Sequence, residues 1–530
     1  MNNEIDKIVI VGGGSAGWMV ASTLIKFFPK KDITLVASES IPTVGVGEST
    51  LADLNGWLHL LDIKPSDFLS EVDGTFKMGI GFTDFYNKDS GTIFYPFGRP
   101  DTAASLFGLT DWHIRKAQDD SIDSTDYVNT HFSLMSLINS NKMLSENTEE
   151  FLPTVKSRDI GYQIDASKFG WYLRTKYAMP KGVKFMDNVV TKVNVGENGI
   201  SSIDLDNGNN ITADLFIDCS GFKSLLLGEA LNAEFVSTKH RLPNNKAWAS
   251  PVAYTDKEKE LELFTNCTAI ENGWVWNTPL WSRIGSGYVY SDEFVDDDTA
   301  LQEFKSHLDS KKMKVYNPNR SKDMEFRQVH IRNGYYKKTW IKNTVAIGLA
   351  SGFLEPLEST GLWFVHQHAI NIVDILKRKY VTQFDKDLYN TRTNKDYKIM
   401  MDFVALHYAF SNRSDTPYWK SISSKVFSEE MMENLPNGID PDGFAGFSQS
   451  FNMGREYTGY GITSVAVGLG YHLFEKHNVD RNLFYGQQDF VEGLSNSFSY
   501  MDARKEKWKH AAKFQPTHYQ YLKDNHYNEI

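Results

Sequence analysis

Cysteine is nearly absent. The 530-residue chain contains two, Cys219 and Cys267, too few for a disulfide framework and suited to a reducing compartment. An excess of positive charge is also missing: 56 Lys and Arg against 67 Asp and Glu give a net charge of −11. That excludes the basic stripe of a nucleic-acid binder and chiefly predicts solubility. Met1 to Lys7 carry no signal-peptide pattern, and no apolar run is long enough to span a bilayer. The expectation is a cytoplasmic protein with no nucleic-acid and no membrane partner. Asn266-Cys267-Thr268 matches a glycosylation acceptor, but without a secretory signal it reads as chance. Neither an internal repeat nor a low-complexity tract interrupts the chain, and no metal-ligand cluster is evident.

What is present is length and aromatic content. At this length several domains, or one large cofactor domain with insertions, are expected. Aromatic residues make up 13%, enough for a core and an aromatic-lined pocket besides.

Ile8 to Val11 form a short β-branched run that reads as a buried strand. Gly12-Gly13-Gly14-Ser15-Ala16-Gly17 follows, then helical spacing from Met19 to Phe28, then a second strand, Ile33 to Val36. Strand, glycine loop, helix and strand open a βαβ unit that binds a dinucleotide. Gly12 serves the tight turn, Gly14 admits the pyrophosphate, and Gly17 lets the helix pack on the sheet; the helix N-terminus then faces the phosphates. The acidic residue that usually ends the second strand is missing, since Ala37 follows Val36. Glu39, two residues on, either substitutes for it on the ribose or is a solvated loop residue. Leu215 to Gly221 and Val345 to Ala350 read as further strands reaching glycine turns.

The expected fold class is α/β: an FAD-binding Rossmann-like module of the flavin monooxygenase type with a mostly helical substrate-binding subdomain. The module is expected over 1–94 and 156–370 and the substrate region over 95–155 and 371–530. Residues 436–461, rich in Gly, Asn, Ser and Asp, predict an irregular segment, and 501–522 a charged helical tail.

Trp274-Val275-Trp276-Asn277-Thr278-Pro279 resembles the W-x-W-x-I-P signature of flavin-dependent halogenases, with Thr278 in place of isoleucine. Four further segments resemble the tryptophan halogenases of that family, in family order: Val44 to Thr50, Phe76 to Ile80, Glu355 to Gly361 and Asp415 to Trp419. The resemblance runs from residue 8 to about 420; the last 110 residues match weakly.

The resemblance implies an FADH2-dependent halogenase, an oxidoreductase. A separate flavin reductase supplies reduced FAD, and O2 and a halide ion yield hypohalous acid. That oxidant crosses a buried tunnel and halogenates an electron-rich aromatic ring of indole, phenol or pyrrole type. The resemblance places Lys77 and Glu358 as the catalytic pair. A buried ammonium can donate a hydrogen bond to hypohalous acid or become a haloamine, and a carboxylate can take the proton lost from the ring. By residue type alone Lys77 reads as a surface lysine and Glu358 as a carboxylate at a helix N-terminus. Thr360 and Gly361 match the halide site, and Thr360 also reads as an N-cap. Gly12, Gly14, Ser15, Ala16, Gly17, Glu39, Gly47, Glu48, Ser49 and Gly348 are assigned to the cofactor. Trp274 and Trp276, on one face of a strand, form with Pro279 a barrier between flavin and tunnel.

At the substrate end the family's His-Pro-Phe reads Tyr95-Pro96-Phe97, and a family Ser-Trp is matched by Gly461-Ile462. Tyr95, Phe97, Ser359 and Ile462 are the candidate substrate contacts, and the substitutions point away from free tryptophan. The alternative reading is an FAD-dependent aromatic monooxygenase, which needs the substrate against the flavin and has no use for Lys77. A flavin-binding module without catalysis is a second alternative, against which the intact Lys77 and Glu358 argue. Homo-oligomerisation is left open.

Overall fold

The computed structural model describes residues 4–41, 47–145, 159–425, 456–471 and 488–528. Residues 44–46 of the Val44 to Thr50 segment and residues 436–455 of the irregular segment lie outside the described residues.

A six-stranded sheet forms the base. Its order is Trp340–Ile341, Thr344–Ala346, Leu215–Asp218, Lys7–Val11, Asp32–Ala37, Lys184–Asp187. All pairings are parallel except the Trp340–Ile341 edge. Parallel strands are covered on both faces, which is why Ile8 to Val11 are continuously apolar and Ile33 to Val36 apolar but for Thr34, all of them buried. The helix Ser15–Phe27 is buried from Gly17 to Ile25 because the helix Gly361–Leu376 packs across it. The class is α/β.

A second sheet has seven strands. Its order is Arg327–His330, Lys246–Val252, Ile284–Tyr290, Gly273–Pro279, Phe264–Ile270, Gly79–Thr83, Thr92–Pro96. A three-stranded sheet, Gly47–Ser49, Gly161–Asp165, Thr75–Lys77, packs against the seven-stranded one and carries Lys77 at its edge.

Helices dominate the remainder. Gln488–Lys513 packs against Thr110–Gln118, Asp126–His131 and Leu134–Ser140, tied by the paired bonds of Arg115 to Asp502 at 2.9 and 2.8 Å and by Lys505 to Asp126 at 2.8 Å. The tail is helical, in two pieces: Gln488–Lys513 ends and His518–His526 begins across Pro516, which has no N–H to continue a helix. Residues 456–461, expected in the irregular stretch, are the start of the helix Glu456–Gly468. Packing decides there against propensity: a Cβ at Gly461 would lie 2.5 Å from the Tyr95 ring, and one at Gly468 2.9 Å from Ile93. Only glycines let this helix lie so close on the Thr92–Pro96 strand.

Candidate active site

A cavity of about 1090 Å3 opens at the carboxyl end of the first strand, where ligands of open α/β sheets bind. Gly12, Gly14, Ser15 and Ala16 line it. Gly12 has φ 120°, and a Cβ there would stand 2.1 Å from the Cys219 carbonyl. A Cβ at Gly14 would meet nothing within 4 Å, so the backbone is open to a ligand. Gly14 begins the helix without a side-chain cap, and no acidic residue occupies the first turn. Its N–H groups therefore face the cavity without protein partners, which suits a pyrophosphate. Gly17 is not on the wall: it seats the helix, with the Gly12 carbonyl 2.0 Å from where its Cβ would be.

Gly47, Glu48, Ser49 and Gly348 line the same cavity, as does Glu39. Glu39 accepts from the Arg174 guanidinium at 2.6 Å, and Arg174 lies 3.9 Å from the Phe185 ring centroid. Arg174 was not singled out by sequence, since a lone arginine in a helical stretch carries no motif. The Glu48 carboxyl is pushed up to about 7, first by burial and then by the charge of Asp165. Volume, open backbone and uncapped helix together fit FAD.

Lys77 lies one shell behind the wall. It is fully buried; its Nζ donates to Ser359 Oγ at 2.8 Å and to Ser49 Oγ at 3.2 Å. The two hydroxyls are 2.6 Å apart, and both serines line the cavity. The ammonium also stands 5.2 Å from the Phe97 centroid. Burial drives its pKa down to about 7, against the opposing charge of Glu358.

Glu358 comes from the turn Pro356–Glu358. Proline sets the first φ of that turn, Leu357 is buried beneath it, and Ser359 then takes a left-handed φ of 57°. A serine there costs about 1 kcal/mol, and its bonds to Lys77 and Ser49 hold it. Glu358 is fully buried, which raises its pKa, while His407 and Lys77 oppose the rise. Glu355, three residues earlier, is anchored by Tyr408 Oη and by Asn244 Nδ2, the latter at 2.9 Å. Its carboxyl is raised to about 7 by burial.

Thr360 and Gly361 begin the next helix and line the cavity. Thr360 holds the N-cap position without a side-chain cap bond, so the first N–H groups stay open.

Trp274 and Trp276 lie on one face of the Gly273–Pro279 strand, their centroids 6.4 Å apart. Trp276 and Thr278 line the cavity; Trp274 is fully buried behind them. Pro279, expected in the same barrier, does not line it. Alternation along the strand turns it to the opposite face, where it lines a separate pocket of about 280 Å3. Its carbonyl accepts from Thr75 Oγ1 at 2.6 Å.

The family model for tryptophan halogenase matches residues 7–452. The chain belongs to the tryptophan halogenase family. As a halogenase it is an FADH2-dependent oxidoreductase. It is 32% identical over 451 residues to tryptophan 6-halogenase SttH of Streptomyces toxytricini, covering 81% of this chain and 83% of that protein. Among solved structures, the apo structure of VirX1 is 35% identical with a TM-score of 0.89, over 99% of this chain and 100% of that one. Xcc4156, a flavin-dependent halogenase from Xanthomonas campestris, is 25% identical with a TM-score of 0.82, over 99% of each chain.

Beside Lys77 of this halogenase, Tyr95 and Phe97 pack edge to face at 5.6 Å, and Tyr95 meets Phe403 at 6.1 Å. Both rings are buried, as is Ile462 on the helix Glu456–Gly468. Two histidines near the site carried no sequence signal. His407, on the helix Gln383–Ala409, places Nε2 2.7 Å from Glu358 Oε1. His518 Nε2 accepts the Phe76 N–H at 3.3 Å, and its Nδ1 is 3.1 Å from the Leu261 carbonyl. Both contacts cross more than 48 positions of sequence, so only the fold reveals them. Among the described residues no helix is long and apolar enough to cross a membrane.

Proposed function

We propose that this halogenase uses FADH2 from a separate reductase, O2 and halide to form hypohalous acid, and that Lys77 and Glu358 direct it onto an electron-rich aromatic ring. Bound in the large cavity, reduced flavin supplies the two-electron activation of oxygen that oxidises halide. Gly12 to Ala16 would hold its pyrophosphate, Glu39 its ribose, and Gly47 to Ser49 and Gly348 the rest. Thr360 and Gly361 would offer N–H groups to halide beside it.

The observation that carries the reading is the contact Lys77–Ser49–Ser359. Two cavity-wall hydroxyls take hydrogen bonds from an ammonium that stands outside the cavity. The ammonium is therefore one hydroxyl layer from the cofactor chamber, while Trp276 and Thr278 close the wall beside it. A small oxidant, unlike an aromatic ring, fits such a connection. Lys77 hydrogen-bonds or takes up the halogen; Glu358 accepts the proton that the ring releases.

Tyr95 and Phe97 support a substrate other than free tryptophan, of indole, phenol or pyrrole type, with Ser359 and Ile462 at its edge. Bromide and iodide are oxidised more easily than chloride and should be preferred. Dominance of chlorinated product in halide competition would refute that preference. The two free, buried cysteines support a cytoplasmic location. The test is mass spectrometry of products from an aromatic library, run with a reductase and each halide in turn. Halogenated product that vanishes without halide is expected; hydroxylated product unaffected by halide removal would establish the monooxygenase alternative.

A further inference from the structure

The large cavity runs two ways from the glycine loop. One end reaches Ser359 and Thr360, both buried, with Lys77 bonded behind them. The other end passes the Asp32–Ala37 strand and opens at the surface, where Glu39, Ile41, Trp171 and Arg174 line it. The 2.6 Å bond from Arg174 to Glu39 joins the two sides of this mouth.

Two large apolar side chains are exposed here. Trp171 leaves 55% of its surface to solvent and Ile41 58%. One such residue is ordinary on a protein surface; two at the mouth of one cavity mark a face that a ligand covers. The helix that carries Trp171, Ala166–Tyr172, is fastened to the glycine loop. Ser15 Oγ donates to the Ala166 carbonyl at 3.1 Å, and a Cβ at Gly170 would lie 3.3 Å from the Ser15 nitrogen. Trp171 therefore stands one residue from the point where helix and pyrophosphate cradle touch. The Arg174 guanidinium lies over Phe185 at 3.9 Å and over Trp18 at 5.8 Å. Among the described residues no ring or cation lies over the Trp171 indole.

A flat apolar face, a carboxylate at the end of the second strand and a phosphate cradle stand in the order base, ribose, pyrophosphate. We propose that Trp171 is the adenine platform of this halogenase: the base of FAD stacks on its exposed indole, with Ile41 beside it, and this contact makes the chain select FAD over FMN. The proposal rests on the cofactor half of the function proposed above and adds the residue that decides which flavin is held. FMN ends at its first phosphate and has nothing to lay on Trp171.

The test is calorimetric titration of flavin-free parent, Trp171→Ala and Trp171→Phe with FAD, FMN and ADP. ADP carries the base, ribose and pyrophosphate without the flavin ring. In Trp171→Ala the affinities for FAD and ADP should fall by a common factor, roughly tenfold or more, as when a base loses an aromatic platform. FMN affinity should stay unchanged, and Trp171→Phe should keep most of the FAD and ADP affinity. Unchanged FAD and ADP affinity in Trp171→Ala overturns the proposal. So does an equal loss for FMN, which means a structural effect on the whole cavity. Unchanged FAD affinity with a fall only in reductase-coupled turnover makes the mouth a docking face and also overturns it. If Trp171→Ala does not melt cooperatively, Trp171→Leu, apolar but not planar, takes its place with the same expectations. A parent that holds FAD and yields no halide-dependent product sinks the halogenation reading, while the FAD, FMN and ADP affinities still decide the role of Trp171. A parent that binds FAD no better than FMN overturns the proposal outright.

Discussion

Replacing Lys77 with methionine should abolish halogenation and stabilise the protein at neutral pH. The Lys77 pKa falls from 10.5 to about 7 through burial. At ~1.36 kcal/mol per unit, that difference of 3.5 is about 5 kcal/mol of penalty for carrying the charged form inside. The sign follows from linkage. The folded pKa lies below the unfolded one, so between about 7 and 10.5 the unfolded chain binds more protons. The penalty is complete below about pH 7 and fades as pH rises to 10.5. Methionine fills similar volume with no charge. It forfeits the bonds to Ser49 and Ser359, worth about 1 kcal/mol each, but the two hydroxyls remain partnered with each other at 2.6 Å.

The net gain at neutral pH is about 2–3 kcal/mol. For 530 residues at ~2.1 cal/mol/K each, the unfolding entropy is ~1.1 kcal/mol/K, so Tm should rise by about 2 °C. The assay is thermal melting of flavin-free parent and Lys77→Met across the pH range from 7 to 10. The advantage should shrink steadily as pH rises. A variant less stable than the parent at every pH, by a constant margin, would show that Lys77 is not held as an unfavourable buried cation, and its tuning by burial would fall with that.

Gly12→Ala should abolish flavin binding in an absorbance titration, because its Cβ would meet the Cys219 carbonyl at 2.1 Å with φ at 120°. Ordinary affinity in that variant would show that the loop does not cradle the cofactor. Glu48→Gln should raise the Tm of the flavin-free protein only on the alkaline side. The Glu48 carboxyl is raised from 4.5 to about 7, so its burial costs stability increasingly as pH climbs through that window, reaching about 3 kcal/mol above it. Equal melting of parent and variant above pH 7 would contradict this. His518→Leu strands the buried Phe76 N–H and should cost about 1–3 kcal/mol. Halogenation should also fall, because Phe76 neighbours Lys77. An unchanged kcat together with unchanged Tm would remove His518 from the support of that strand.

The N-terminal half of the site was legible in the sequence because its signals are local. Ile8 to Val11, the glycine spacing and the following helix lie within twenty residues and fix one another's geometry. The alternation of Trp274 and Trp276 placed both on one face, and the same alternation, carried three residues further, turns Pro279 away. What was not legible depends on long-range meetings. Lys77 and Ser359 are 282 positions apart and Ser49 and Ser359 are 310 apart; no period or spacing links them. His407 sits in the stretch Met400 to Tyr408, which is buried along its whole length, so no face singles it out. The helix at Glu456–Gly468 was hidden because its glycines read locally as breakers, whereas in the fold they are the surface that meets Tyr95 and Ile93.

The weak resemblance of the last 110 residues is consistent with the place of their described segment 488–528, which meets the strand that carries Lys77. The strand that carries Lys77 has three residues and pairs on one side only, with Gly161–Asp165. So short an edge strand is marginal by itself. The tail completes it. His518 Nε2 takes the Phe76 N–H while Nδ1 donates to the Leu261 carbonyl, which fixes a neutral tautomer. Burial drives its pKa down to about 3, so it remains an acceptor at any pH where the fold persists. Tyr527 donates to the Gly74 carbonyl at 2.8 Å and stacks on Trp281 at 4.1 Å, closing the other end of the strand. The support thus needs one ring nitrogen, one phenol and one stacked face. The other bonds of the tail, such as those of Asp502 to Arg115 and Lys505 to Asp126, hold it to neighbouring helices rather than to this strand, and its packing positions tolerate many sequences. A segment can therefore drift beyond recognition by motif and still hold the ammonium against the two serines.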